Sequence, residues 1–122
     1  METILVLLAL FGIKHFLADY VFQTPKMLEE KGTYGAFGGL QHAYVHGLLT
    51  GFVLLPVVPS LLVICKLAVI DGIIHYHIDW TKKQMSSHYT IADREFWFWF
   101  GLDQTLHYLT YIGIITWVTV LA

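Results

Sequence analysis

Histidine and aspartate residues recur four positions apart inside four otherwise apolar segments of this chain. On an α-helix, residues i and i+4 lie on one face, one turn apart along the axis. Each segment therefore predicts a helix that carries a polar stripe, and four such helices predict a bundle with a polar interior. The pairs are His15/Asp19, His42/His46, His75/Asp79 and Asp103/His107, and Asp71 extends the third pair backwards by four residues.

The composition favours a membrane as the solvent of this bundle. Hydrophobic residues make up 57% of the 122 residues and charged residues only 13%, whereas about 25% charged is usual for a soluble domain. A bilayer core requires about 20 mainly apolar residues per helix. We therefore expect an all-α fold, a polytopic antiparallel bundle of four transmembrane helices in one domain, residues 1–122. The predicted spans are roughly residues 3–22, 40–58, 60–80 and 95–121.

The lysine and arginine residues predict the orientation of these spans. Lys26, Lys31, Lys82, Lys83 and Arg94 all lie in two polar segments, after the first and third spans. The positive-inside rule places both segments in the cytoplasm and both termini outside a multi-pass protein of the cell (inner) membrane. All nine His and Asp positions then fall in the same half of the bilayer, as a single shared site requires.

The clustered carboxylates need a compensating charge. One charged side chain at mid-bilayer costs about 2.5–3.5 kcal/mol, so four unneutralised aspartates would cost roughly 10–14 kcal/mol. Two divalent cations would balance four carboxylates, and one cation would need help from protonation or a lysine. Mixed His and Asp ligands suit zinc best, with iron or manganese as alternatives, whereas calcium prefers oxygen alone. The predicted ligands of one or two ions are His15, Asp19, His42, His46, Asp71, His75, Asp79, Asp103 and His107.

Other residues are predicted to border this cluster or serve packing. Gln23, Lys82 and Gln104 are expected at its edge, where they could face a substrate. Lys14 is expected to snorkel or to pair with a carboxylate. Gly47 and Gly51 are spaced for close helix packing. For a single His/Asp pair, an interhelical hydrogen-bond clamp is the alternative to a metal site.

The segments that carry these pairs resemble domain-of-unknown-function family 3307, which consists of small membrane proteins of bacteria and phages. The similar segments are His15–Thr24, Gln41–His46, His75–Asp79 and Asp103–His107. The resemblance covers nearly the whole chain and implies a polytopic membrane fold. It implies no activity.

Two classes of function stay open. The first is a metal-dependent hydrolase, because a bound metal lowers the pKa of water toward about 7 and polarises a carbonyl or phosphoryl oxygen. A site half-sunk in lipid would suit an amphipathic or lipid-like substrate. The second is a divalent metal-ion or proton-coupled transporter, although the outer half of each span is nearly free of polar residues. A structural or partner-docking role, and assembly as a homo-oligomer, stay open as well. Net charge of -2 gives no sign of a nucleic-acid partner.

Overall fold

The computed structural model describes residues 1–121, which form four long helices and one short helix, with no strand among them. The expected all-α fold is therefore confirmed. Helix α1 is Glu2–Phe16 and continues as a π-helical segment, Leu17–Val21, and α2 is Pro25–Glu30. Helix α3 is Phe37–Leu54, α4 is Leu61–Ser86, and α5 is Arg94–Thr116 with a π-helical end, Trp117–Leu121.

Helix α4 is longer than its predicted span. It extends six residues beyond Trp80, to Ser86, because the segment after Trp80 lacks glycine and proline and includes the strong helix formers Lys82, Lys83, Gln84 and Met85. Its first turn is capped by Ser60, whose Oγ accepts a hydrogen bond from the Val63 N–H (3.4 Å). Lys82 is therefore part of the helix and lies about one turn beyond Asp79, the last residue of the polar stripe of α4.

The four long helices form an antiparallel bundle. Phe11 of α1 stacks on Tyr111 of α5 with ring centroids 5.0 Å apart, and His15, further along α1, contacts Gln104, earlier on α5. Helices α3 and α4 pair in the same antiparallel sense. The polar stripes of all four helices consequently meet at one end of the bundle.

Small residues bring α3 and α4 into close contact. A Cβ atom added to Gly47 would lie 2.6 Å from the carbonyl oxygen of Ala68, and one added to Gly72 would lie 3.2 Å from the carbonyl oxygen of Ala43. Gly51 faces Ile64 and Ala68 across the same contact. This confirms the packing role predicted for Gly47 and Gly51. The close contact of α3 and α4 also stacks the rings of His46 and His75, with centroids 3.4 Å apart.

The other end of the bundle has an apolar core, and the outward faces are apolar too. The core consists of Leu7, Phe11, Leu54, Val58, Ile64, Leu67, Tyr111, Ile114 and Ile115. Large apolar side chains such as Leu62, Phe52 and Leu109 are more than half exposed on the outside. An apolar exterior of this extent is unusual for a protein that water surrounds.

Length and hydropathy support two membrane spans among the described helices, rather than the four predicted. These are Glu2–Val21 and Leu61–Ser86, with mean hydropathies of 1.8 and 1.7. Helices α3 and α5 do not reach the mean hydropathy of a membrane span, because polar residues of the site lower it. Gln41, His42 and His46 lie on α3, and Asp103, Gln104 and His107 lie on α5.

Candidate metal centre

The polar end of the bundle gathers side chains from all four long helices. His42, His46, His75 and His107 are at most 2% exposed, and His15 is 3% exposed. Aspartates 79 and 103 are also buried, and Asp19 is 14% exposed. The predicted convergence of the four stripes is thus present in the structure.

Asp19 lies on the π-helical turn at the end of α1. The Phe22 N–H donates to the Leu17 carbonyl (2.8 Å), which widens this turn; such π turns are frequent at functional sites. The Oδ1 atom of Asp19 lies 2.8 Å from Nε2 of His46, and its Oδ2 lies 3.1 Å from Nε2 of His15. Asp19 therefore links α1 to α3.

Three ligand atoms form a nearly equilateral triangle at the centre of the cluster. Nε2 of His42 lies 3.2 Å from Nε2 of His75, and each of these nitrogens lies 3.3 Å from Oδ2 of Asp79. Ligand atoms about 2.0–2.1 Å from a tetrahedral zinc ion are about 3.3–3.4 Å apart. The triangle therefore has the dimensions of one face of a tetrahedral metal site. The Oδ2 atom of Asp79 is buried and also lies 3.1 Å from Nζ of Lys31.

His107 has the tautomer that metal ligation requires. Its Nδ1 lies 3.0 Å from the Asp103 carbonyl oxygen, which can only accept, so Nδ1 carries the proton and Nε2 of the neutral ring is free. That Nε2 is buried, lacks a hydrogen-bond partner in the described chain, and lies 3.4 Å from Oδ1 of Asp79. A hydrogen bond from the non-ligating nitrogen to a carbonyl is the usual support of a metal-binding histidine.

Two overlapping groups of ligand atoms therefore suit a metal ion. One comprises Asp19, His42, His46 and His75, and the other comprises His75, Asp79 and His107. Within each group the ligand atoms lie within 4.8 Å of one another. Because His75 belongs to both groups, the two groups form one cluster of candidate ligands.

His15 and His46 have other partners that occupy both ring nitrogens. Nε2 of His15 lies 3.0 Å from Oε1 of Gln104 and 3.1 Å from Oδ2 of Asp19, both acceptors, so in the neutral ring Nε2 carries the proton and Nδ1 accepts from the Tyr111 hydroxyl (2.7 Å). The Nζ of Lys14 lies 3.4 Å from Nδ1 of His46. Since a lysine ammonium can only donate, Nε2 of a neutral His46 carries the proton and donates to Asp19. These two histidines thus orient Asp19.

Asp71 lies one layer below the centre, in a buried ion pair. Its Oδ2 contacts Nζ of Lys14 (2.7 Å) and accepts from the Thr50 hydroxyl (2.6 Å). The structure brings Asp71 to Lys14 and not into either group of metal-type ligands. Of the two alternatives predicted for Lys14, snorkelling or pairing with a carboxylate, the structure has the pairing. Thr50 and Tyr111 were not among the predicted site residues, although both extend a polar stripe by another four residues, after His46 and after His107.

Lys31 enters the site from the end of α2, which the sequence analysis did not foresee. Its Nζ lies 3.1 Å from Oδ2 of Asp79 and donates to Oε1 of Gln23 (3.2 Å). Burial lowers the pKa of Lys31, but the carboxylates of Asp79 and Asp19 raise it more, so its pKa is above the ordinary value. Lys31 is therefore a second ammonium group in the site.

The formal charges of the site leave room for one divalent cation. Four carboxylates contribute four negative charges and two lysines contribute two positive charges, so the sum is -4 + 2 = -2. A divalent metal ion would neutralise that remainder. The groups counted are Asp19, Asp71, Asp79, Asp103, Lys14 and Lys31.

A family model matches nearly the whole chain. The model of the family described as protein of unknown function (DUF3307) matches residues 6–122. The chain belongs to the DUF3307 family. All four motifs of the resemblance lie within the matched range. No curated protein and no solved structure matches this DUF3307 chain.

The predicted edge residues border the centre of this DUF3307 protein in different ways. Gln23 donates to the Asp19 carbonyl oxygen (2.8 Å), and Gln104 donates to Oδ2 of Asp103 (2.9 Å). The Oδ1 atom of Asp103 is buried without a hydrogen-bond partner among residues 1–121. Lys82 lies further out, with its Nζ 5.8 Å from the ring centroids of both Phe96 and Phe100.

Proposed function

We propose that this protein is a membrane-embedded metalloprotein whose centre binds one divalent transition-metal ion and hydrolyses an amphipathic substrate. His42, His75, Asp79 and His107 are the proposed protein ligands, water would occupy a fifth position as hydrolysis requires, and zinc is the ion that this set suits best. The observation that carries the proposal is the triangle of His42 Nε2, His75 Nε2 and Asp79 Oδ2, with edges of 3.2 and 3.3 Å. A bound ion would satisfy His107 Nε2, which is buried without a hydrogen-bond partner in the described chain.

We further propose that all four long helices cross the membrane, with both polar loops in the cytoplasm and both termini outside. Helices α1 and α4 have the length and hydropathy of spans, and only 28% of the residues in each apolar window are buried. A core helix of a soluble protein would be mostly buried. Helices α3 and α5 pack antiparallel beside them and expose residues such as Phe52 and Leu109 to the same surroundings. Their polar residues face the shared site, as polar residues in spans usually do.

The apolar half of the bundle favours an enzyme over a transporter. Below the Lys14–Asp71 pair, the space between the helices is filled by a core that includes Leu7, Phe11 and Ile115. An ion leaving the centre in that direction would have to cross this core without polar groups to replace its ligands. An enzyme needs access from one side only, whereas a carrier needs both. A metal near the cytoplasmic end would generate hydroxide from bound water and polarise the bond to be cleaved.

Elemental analysis of protein purified without a metal-affinity tag tests the metal centre. We expect about one divalent transition metal per chain, and we expect His42→Ala to lose most of it because one corner of the triangle is removed. His77→Ala is the matched control, since His77 is exposed and hydrogen-bonds Tyr34 (3.1 Å). Metal-free wild-type protein, or equal loss from His77→Ala, would contradict the proposal.

Activity of the metallated protein tests the reaction. We expect metal-dependent turnover of a lipid-like ester or phosphate and no metal flux in liposomes. Flux that disappears in Asp79→Ala, without turnover, would favour the transporter.

A further inference from the structure

A groove between α4 and α5 opens on the outer surface of the bundle and has a cavity volume of about 380 Å³. Its walls are mainly apolar, with His77 and Thr81 as polar residues among them, and the apolar side chains are Ile73, Ile74, Ile78, Leu102, Leu106 and Trp99. Ligand pockets commonly have volumes of about 300–1,000 Å³. The volume and the apolar walls therefore suit one hydrocarbon chain.

One end of the groove is polar and adjoins the metal centre. Lys82 and Asp103 line this end. Lys82 follows Asp79 by three residues on α4, and Asp103 precedes His107 by four residues on α5, so both lie one turn from proposed ligands. A molecule that lies in the groove would therefore present its polar end to the centre.

Lys82 gives this end a positive charge beside the Asp103 carboxylate, with which it forms no ion pair. It takes part in none of the ion pairs found within residues 1–121. The rings of Phe96 and Phe100, each 5.8 Å from its Nζ, hold the ammonium group beside the groove. A lysine in this position complements an anionic group at the end of an apolar chain.

A second groove, between α3 and α4, lacks these features. It is larger, about 530 Å³, and is also lined by mainly apolar residues, among them Leu48, Val69 and Tyr44. No lysine or carboxylate lines it. In a bilayer both grooves would be filled by lipid chains, but only the α4–α5 groove offers a charged group to a particular headgroup.

We infer that the α4–α5 groove binds a lipid phosphate, with its single apolar chain between the helices and its phosphate against Lys82. This inference rests on the proposed function, because it names the substrate class of the same centre. A phosphate has enough free oxygens to contact Lys82 and the metal centre together.

Photo-crosslinking of the full chain in nanodiscs of uncharged phosphatidylcholine tests the inference. The probe is dodecyl phosphate with a diazirine in its chain, and the comparison probe has the same chain with a trimethylammonium group. We expect the phosphate probe to label residues 73–82 and 99–106, and the cationic probe to label them at least about tenfold less. Equal labelling by both probes, or labelling mainly in the α3–α4 groove, would overturn the inference.

Variants separate the chain site from the headgroup site. Leu106→Trp should block labelling by filling the groove, whereas Leu109→Trp, an exposed residue of the same helix outside the groove, should not. Lys82→Met should lower labelling about tenfold and Lys82→Arg should retain it, since the loss of one charge-assisted contact changes affinity by about that factor. Unchanged labelling in Leu106→Trp and Lys82→Met would overturn the inference.

Turnover measured separately distinguishes this inference from the proposed function. Groove labelling without release of phosphate, in fully metallated protein, supports the binding site and contradicts the proposed hydrolysis. Hydrolysis without groove labelling overturns the inference and leaves the hydrolase standing. Labelling spread evenly over all outward faces would mean ordinary surrounding lipid only, and would overturn it as well.

Discussion

Asp79 is the residue on which the charges of the candidate centre converge. One of its oxygens faces His42, His75 and Lys31, and the other faces His107. A buried carboxylate with several donors around it is stabilised in its ionised form. Asp79 can therefore bind a metal ion, and the ammonium group of Lys31 offsets part of the negative charge of this carboxylate.

Lys14 and Asp71 form a second, separate charge balance below the centre. Lys14→Met would leave the 1% exposed Asp71 without its counter-ion and should destabilise the protein by about 3–5 kcal/mol. Lys14→Met with Asp71→Asn should recover most of that loss, because the asparagine is uncharged and can still accept from Thr50. Denaturant unfolding of the two single variants and the double variant measures the coupling.

Metal content of the same variants decides the role of Asp71. The double variant should keep its metal, since Asp71 belongs to neither group of metal-type ligands. Loss of metal there would make Asp71 a ligand, as the sequence analysis predicted. If the double variant is destabilised by the sum of the two single effects, Lys14 and Asp71 are not energetically coupled.

At the scale of helices, the spacing of polar residues predicted the polar stripes, but it did not predict which other segments contribute side chains to the site. The four-residue spacing placed His42, His75 and His107 in one site because a helix repeats its faces whatever surrounds it. Spacing within one helix cannot foresee Lys31, which reaches Asp79 from a different element. The π turn under Asp19 likewise depends on hydrogen bonds between backbone groups, which residue types specify only weakly.

The contact between α3 and α4 aligns two polar stripes and depends on Gly47. Gly47→Ala would bring a Cβ within 2.6 Å of the Ala68 carbonyl oxygen, so the helices must separate, at a cost of about 1–3 kcal/mol. Gly113→Ala is the control, because its added Cβ meets no atom within 4 Å and should stabilise α5 by about 0.5–1 kcal/mol. Thermal unfolding measures both. An unaffected Gly47→Ala protein would refute the close packing.

For the whole molecule, composition predicted an apolar exterior, and the structure has one. Hydropathy alone could not decide the number of spans, since the site residues that give α3 and α5 their role also lower their mean hydropathy. The antiparallel order of the helices does place every polar stripe at one end. Whether that end faces the cytoplasm depends on Lys26, Lys31, Lys82, Lys83 and Arg94, and is a separate question from the fold.

Cysteine accessibility tests the four-span topology. Helix α4 has 26 residues, a length of about 39 Å at 1.5 Å per residue, against a hydrocarbon core of about 30 Å. Its two ends should therefore lie on opposite sides of the membrane.

In a Cys65→Ser background, Val57→Cys should react with an impermeant maleimide in intact spheroplasts, and Ser87→Cys only after permeabilisation. Both positions are exposed loop residues, so burial does not limit the reaction. Reaction of both from one side would exclude the four-span arrangement, and reversed accessibility would overturn the predicted orientation but leave the bundle intact.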